Sequence, residues 1–146
     1  MMLSAEQIFS DGQTVTTSAA STNIIDLGAT GTVLGAPAAL VRDIGPGRPV
    51  EFIVQLDIDA TGTTPTLDVD VEIDDNEGFA SATVVASSQQ LAGGSAGDRI
   101  QLNCYLPEGT NERYLRLNYT TGGTTPSYQL TAGIVAADQT NVVPGA

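Results

Sequence analysis

The side chains best placed to do chemistry are the carboxylates between Glu51 and Glu77. Nine of the chain's seventeen acidic residues fall there, in a stretch without a single basic residue. Asp57, Asp59, Asp68, Asp70, Glu72 and Asp74 could hold a divalent cation, because calcium takes clustered carboxylate and carbonyl oxygens. The run Asp74-Asp75-Asn76-Glu77 lacks the ligand spacing and closing glutamate of an EF-hand, however, and consecutive acids in a turn more often cap the local backbone. Two neighbouring carboxylates could also hydrolyse a glycosidic bond, but any acidic strand face offers such pairs, and no tryptophan is present to stack on a sugar. The stretch therefore reads as a wet acidic face, with no metal or other cofactor and no enzymatic activity.

Nucleophilic chemistry is equally short of parts. Cys104 stands alone, so an internal disulfide is impossible, and without histidine there is no neutral base to activate its thiol. It reads as a small buried hydrophobe. What remains is recognition chemistry. All five basic residues are arginines, Arg42, Arg48, Arg99, Arg113 and Arg116. Arginine can clamp a carboxylate with two hydrogen bonds, and arginine and tyrosine are enriched at interface hot spots. In the alternating stretch 114–119, Tyr114, Arg116 and Asn118 point away from the face that carries Leu115 and Leu117. If Ile100 to Cys104 pairs beside it with Leu102 opposite Leu117, then Tyr105 meets Tyr114 and Asn103 meets Arg116, an outward patch of tyrosine and arginine. The competing assignment for any one arginine is an internal bridge to the chain's own surplus acids.

Strands must position these groups. Alternation in short pieces bounded by Gly, Pro, Asn, Asp or Ser predicts an all-β domain of about eight strands. Val50, Phe52, Val54, Leu56 and Ile58 line one face of the first long strand, opposite Glu51, Gln55, Asp57 and Asp59. Leu67, Val69, Val71 and Ile73 repeat the pattern opposite Asp68, Asp70, Glu72 and Asp74. Ile100 to Cys104, Leu115 to Tyr119 and Tyr128 to Ile134 follow, with shorter strands at Gln13 to Thr17, Thr22 to Leu27 and Thr83 to Ser87. Pairing the first two as a hairpin across Thr61 to Pro65 sets Phe52 against Ile73 and Val54 against Val71. It also sets Asp57 directly against Asp68, which costs a few tenths to about 1 kcal/mol. A cation, an arginine, a partner chain, or placement of the two strands in different sheets must relieve that conflict.

A length of 146 residues fits one domain, 1–146, with arms at 1–12 and 137–146 that lack sustained alternation. The long Pro- and Gly-rich loop 35–49 separates the short strands from the long ones. A net charge of −12 argues against nucleic acid or anionic membrane as a partner. No apolar run reaches the ~18 residues of a membrane span, and the first residues lack a signal peptide's basic start, so the expectation is a soluble chain made in a cytoplasm.

Five stretches in order carry a resemblance. They are Ile8 to Gln13, Ser21-Thr22-Asn23-Ile24-Ile25-Asp26-Leu27-Gly28, Arg42-Asp43-Ile44-Gly45-Pro46-Gly47-Arg48-Pro49, Pro107 to Tyr119, and Thr131 to Ala136 with Gln139-Thr140-Asn141. Together they resemble the capsid cement, or decoration, proteins of tailed, mostly short-tailed, double-stranded DNA bacteriophages. The resemblance implies a jelly-roll-like antiparallel sandwich that binds the major capsid protein on the outer face of the phage head, across capsomer joints. It also implies self-association, with a homodimer favoured over a trimer, and offers no catalytic residues. On this basis Phe9, Arg42, Asp43, Arg48, Tyr105, Arg113, Tyr114 and Arg116 are the candidate partner-binding residues. A carbohydrate- or receptor-binding jelly-roll module, with calcium on the acidic face and Tyr105, Tyr114 or Tyr128 under a sugar, is the alternative.

Overall fold

The computed structural model describes residues 5–40, 49–104 and 112–135. After a short 3-10 turn at Ala5–Gln7, nine strands follow: β1 (Ile8–Val15), β2 (Ala19–Ala20), β3 (Ile25–Asp26), β4 (Val50–Leu56), β5 (Thr61–Asp74), β6 (Thr83–Ser87), β7 (Leu91–Ala92), β8 (Arg99–Cys104) and β9 (Tyr114–Val135). All described pairings are antiparallel. The fold is the all-β sandwich that the alternation predicts.

β9 organises everything else. On one edge, β4 runs along its second half, with Phe52 opposite Ile134 and Leu56 opposite Leu130. β5 runs along its first half, with Val69 opposite Tyr119 and Ile73 opposite Leu115. On the other edge, β1 accompanies the second half, while β2 and β3 accompany the first. β8 lies outside β4, and β6 and β7 lie outside β5. One long ribbon is thus folded into two layers, and β9 belongs to both.

The fold line is a corner where β5 and β9 bend together. The register slips between Thr61 and Thr66. Gly62 and Gly123 take left-handed φ angles of 119° and 95°, and Thr64 and Thr125 also turn positive. A strand that changes sheets needs such a bend. Crowding is severe: a Cβ on Gly62 would sit 2.6 Å from the Thr125 carbonyl oxygen, so only glycine fits.

The inward faces then close on one another. Phe52, Val54 and Leu56 of β4, with Tyr128, Leu130 and Ala132 of β9, meet Leu67, Val69 and Val71 of β5 and Leu117 and Tyr119 of β9 in a single core. The Phe9 and Phe52 rings lie 5.9 Å apart. A polar relay crosses the layers. The Tyr119 hydroxyl donates to Ser10 Oγ at 2.8 Å, and Ser10 Oγ donates to Gln13 Oε1 at 2.6 Å. Gln13 also accepts from the Thr22 amide and donates to the Ala20 carbonyl, tying β1 to the chain entering β3. Burial pushes the Tyr119 phenol well above its ordinary pKa, outweighing the opposing bond to Ser10.

Several expectations are corrected. β4 and β5 do not form a hairpin; each pairs with β9, in different layers, so Asp57 and Asp68 never face one another. Asp57 instead accepts from Thr131 Oγ1 at 2.8 Å, and Asp68 from Gln90 Nε2 at 2.9 Å. β8 pairs with β4, with Phe52 opposite Leu102, rather than with the start of β9. Ile58 lies beyond the end of β4 and is exposed. Ile8 to Gly12 are no arm, because they open β1 and pair with β9. Thr61 to Pro65 belong to β5 and are not a free turn. The arm 137–146 lies outside the described residues.

Candidate functional site

The outer face of the first half of β9 carries the predicted tyrosine and arginine, and β5 rather than β8 lies beside it. Glu72 stands opposite Arg116, Asp70 opposite Asn118, and Asp74 opposite Tyr114. β3 flanks the other edge, with Asp26 opposite Tyr114. The acidic face of β5 therefore meets Arg116, and Asp26 of β3 meets Arg113.

Both are engaged within the chain. Arg116 Nε donates to Glu72 Oε2 at 2.6 Å, and its guanidinium lies 4.1 Å from the centroid of the Phe79 ring. Both partners are shielded, at 21% and 10% side-chain exposure. Arg113 clamps Asp26 with two 2.6 Å bonds from Nε and Nη2, while its carbon Cζ lies 5.0 Å from the Tyr114 ring centroid. The bond to Asp26 holds the Arg113 pKa above its ordinary value, with burial opposing. That second pair is far more open, at 39% and 43%. Exposed pairs of this kind contribute little to stability, because solvent screens them.

Asp74 anchors the adjoining turn. Its Oδ1 accepts from the Asn76 amide at 2.9 Å and its Oδ2 from the Ser81 amide at 2.8 Å, with Ser81 Oγ donating to both oxygens. Carboxylate oxygens of Asp74, Asp75 and Glu112 lie within 4.8 Å of one another. Those on Asp74 are occupied as caps, the arrangement that consecutive acids in a turn usually adopt.

Burial works to raise the Asp74 pKa, but the bonds from the Asn76 and Ser81 backbones, Asp75 and the Ser81 hydroxyl outweigh it and hold the value below the usual 3.8. A carboxylate depressed on folding adds stability that is present above its unfolded pKa and lost as pH falls through the folded one. Wild type will therefore exceed Asp74→Asn in urea stability at neutral pH. That gap will close as the pH drops below about 4; a constant gap in denaturation curves across pH 2–7 would refute the role.

The other candidate residues divide. Phe9 is fully buried in the core against Phe52, so its expected place at a partner surface is corrected: the register slips between Ile8 and Ser10, and Phe9 turns inward there. Arg42, Asp43, Arg48 and Tyr105 lie outside the described residues, as does the side chain of Cys104. Tyr128 is also fully buried, and among the described residues its hydroxyl has no hydrogen-bond partner. It offers no ring to a sugar. A groove of about 520 Å³ between Ala86–Leu91 and Arg99–Leu102 is lined by two serines, three glutamines and one arginine together with Ala86, Leu91, Ile100 and Leu102.

Sequence reasoning missed a second surface. Ile24, Leu27, Val33, Leu34 and Leu40 are all exposed, Leu34 completely, and they account for five of the seven large exposed hydrophobics among the described residues. The loop closes on itself through the Leu40 amide and the Gly31 carbonyl, 2.8 Å apart. At its tip the Ala36 amide donates to Val33, and Gly35 takes φ 83°, as a type II turn requires. Leu34 thus sits at the projecting corner. The available signal was the lack of charge, since Asp26 is the one ionisable side chain between Asp11 and Arg42.

The chain is thus an all-β sandwich in which Arg113 and Arg116 are held by its own acids and from which an apolar loop projects. A family model described as Bbp16 matches residues 9–138. The chain belongs to the Bbp16 family. No curated protein sequence matches it.

Proposed function

We propose that this chain is a capsid cement protein of a tailed phage, a non-enzymatic component of the virion that binds the major capsid protein across capsomer joints. The observation that carries the reading is where the resemblance falls in the fold. Its described parts are β1, the segment containing β3, and both halves of β9, which are mutual neighbours along β9. The likeness thus follows one continuous structural unit rather than scattered turns, and the Bbp16 match covers the same span.

Cementing needs no catalytic group. Packed DNA pushes outward on a thin shell, and a protein that binds only correctly spaced joints adds its binding free energy to the expanded state. Many copies make modest contacts sufficient. The charge of −12 suits the outer face, since the inner face confronts packed DNA.

The test is to mix the purified protein with expanded shells that lack it, sediment them, and count bound copies. Saturation at a fixed stoichiometry, with shells then resisting heat, is the expected result. No binding to any matched shell would overturn the proposal.

A further inference from the structure

We propose that the free edge of β8 receives an extended segment of another protein as an added strand, and that in the virion this segment belongs to the major capsid protein. The inference rests on the cement reading for the source of the segment. It starts from the edges of the two layers. Most of the bordering strands are blunted in ways that discourage further pairing: β2, β3 and β7 are two residues long, while β1 and β6 carry register slips. β8 is not. It runs for six residues in unbroken register with β4, from Cys104 opposite Val50 to Arg99 opposite Gln55, without proline, glycine or bulge. Among the described residues no strand pairs with its outer side.

Which backbone groups of β8 are free follows from β4. The Leu56 amide donates to the Asp98 carbonyl and the Asp57 amide to the Gln129 carbonyl, so even-numbered residues of β4 bond β8 and odd-numbered ones bond β9. Ile100 and Leu102, opposite Val54 and Phe52, therefore spend their backbone groups on β4. Those of Arg99 and Gln101 point outward, where the next strand would lie. The groove of about 520 Å³ runs along this edge, with half-buried Leu91 and Ile100 among its apolar residues, so a segment with apolar side chains at alternate positions fits it. Charge narrows the segment further. Arg99 bonds Gln55 at 3.1 Å and, unlike Arg113 and Arg116, has no carboxylate partner among the described residues. The acids on neighbouring elements are engaged elsewhere: Asp57 with Thr131, Asp59 with the Ala96 amide, Asp68 with Gln90 and Asp98 with the Ser95 amide. The added strand thus carries one carboxylate, opposite Arg99, and no second one that would meet these acids. Antiparallel pairing, the rule in this fold, sets that carboxylate toward the C-terminal end of the segment.

The experiment follows hydrogen exchange of the purified chain, amide by amide, with two synthetic peptides of alternating valine and threonine, one bearing a glutamate near its C-terminus and the other a lysine there. The glutamate peptide will slow exchange at Arg99 and Gln101 and bind at least about fivefold more tightly than the lysine peptide. Arg99→Glu will reverse that preference. Gln101→Pro, which removes an outward amide at an edge where proline is tolerated, will weaken binding at least about tenfold. Arg99→Glu, on a side chain tied only to Gln55 among the described residues, keeps the test decisive if the proline variant does not fold. Absence of protection at the two amides, or equal binding of the two peptides, overturns the inference. Protection that grows with the chain's own concentration also overturns it, by giving the edge to a second copy. Shell sedimentation run in parallel separates the two proposals. Shells that take up wild type and Arg99→Glu equally overturn the inference and leave the cement reading standing. Peptide held at β8 by a chain that ignores shells supports the open edge and overturns the cement reading.

Discussion

Gly123→Ala will destabilise this protein by on the order of 4 kcal/mol, the largest loss expected from so small a change. Its φ of 95° lies where an L-residue is strained, which costs about 1–2 kcal/mol. The added methyl would also lie 2.8 Å from the Thr63 carbonyl oxygen and closer still to that of Thr64. Neither can retreat, because both belong to the bend at which β5 and β9 change layers together. Relief would require reopening the corner on which both layers depend. Gly97→Ala is the control, since Gly97 has φ 90° but open space where the methyl would sit, so it carries the conformational cost alone. Urea denaturation of the two variants separates the terms. Equal midpoints would mean that the close approach at the corner is inconsequential.

Arg116→Ala is expected to cost about 3 kcal/mol, or a fall in melting temperature of ~10 °C. The reason is what it leaves behind. Glu72 is buried in the face of β5, where it forms an ion pair with Arg116. Removing the guanidinium strands a shielded carboxylate and uncovers the Phe79 ring on which the guanidinium stacks. Phe79 is itself held at a positive φ of 52°, so the turn after β5 loses its main cover. Arg113→Ala, removing the more exposed pair, should cost much less. The double variant Glu72→Gln/Arg116→Ala should recover part of the loss, because no charge is then left without its partner. Thermal melts of the four proteins check this. Equal effects at Arg113 and Arg116 would show that burial does not distinguish the pairs.

The core-facing residues were legible because they recur at every second position, although β4 also buries Glu51 and Ile53 on its other face. Phe52, Val54 and Leu56, Leu67 through Ile73, and Leu115 through Tyr119 all point to the core as their alternation demands. Partner choice was not legible, since any apolar face matches any other equally well. The repulsion between Asp57 and Asp68 was the one clue that β4 and β5 lie in different layers. The corner escaped notice because Thr61 to Pro65 and Gly122 to Pro126 have turn-like compositions, yet both run within the continuous strands β5 and β9. At the candidate site, Tyr114 and Arg116 were correctly read as facing outward. Their companions were misassigned with the strand pairing, so Glu72 and Asp74, rather than Asn103 and Tyr105, stand opposite them. Phe9 was misplaced because residues 1–12 lack sustained alternation and read as an arm, whereas Ile8 to Gly12 open β1 and pair irregularly with β9. The apolar loop shows no alternation, and absence of charge is a weaker signal than a repeating pattern.

The position of β9 in the chain also bears on how the protein is made. Its residues emerge late, after β1, β2, β3, β4 and β5 have left the ribosome, and every one of those strands pairs with it. Most of the sheet must wait, its edges unpaired, for one late segment to supply the long-range contacts that such topologies form slowly. Folding of the sheet should therefore begin only once β9 has emerged. In that interval its abundant carboxylates would discourage unfinished copies from sticking together.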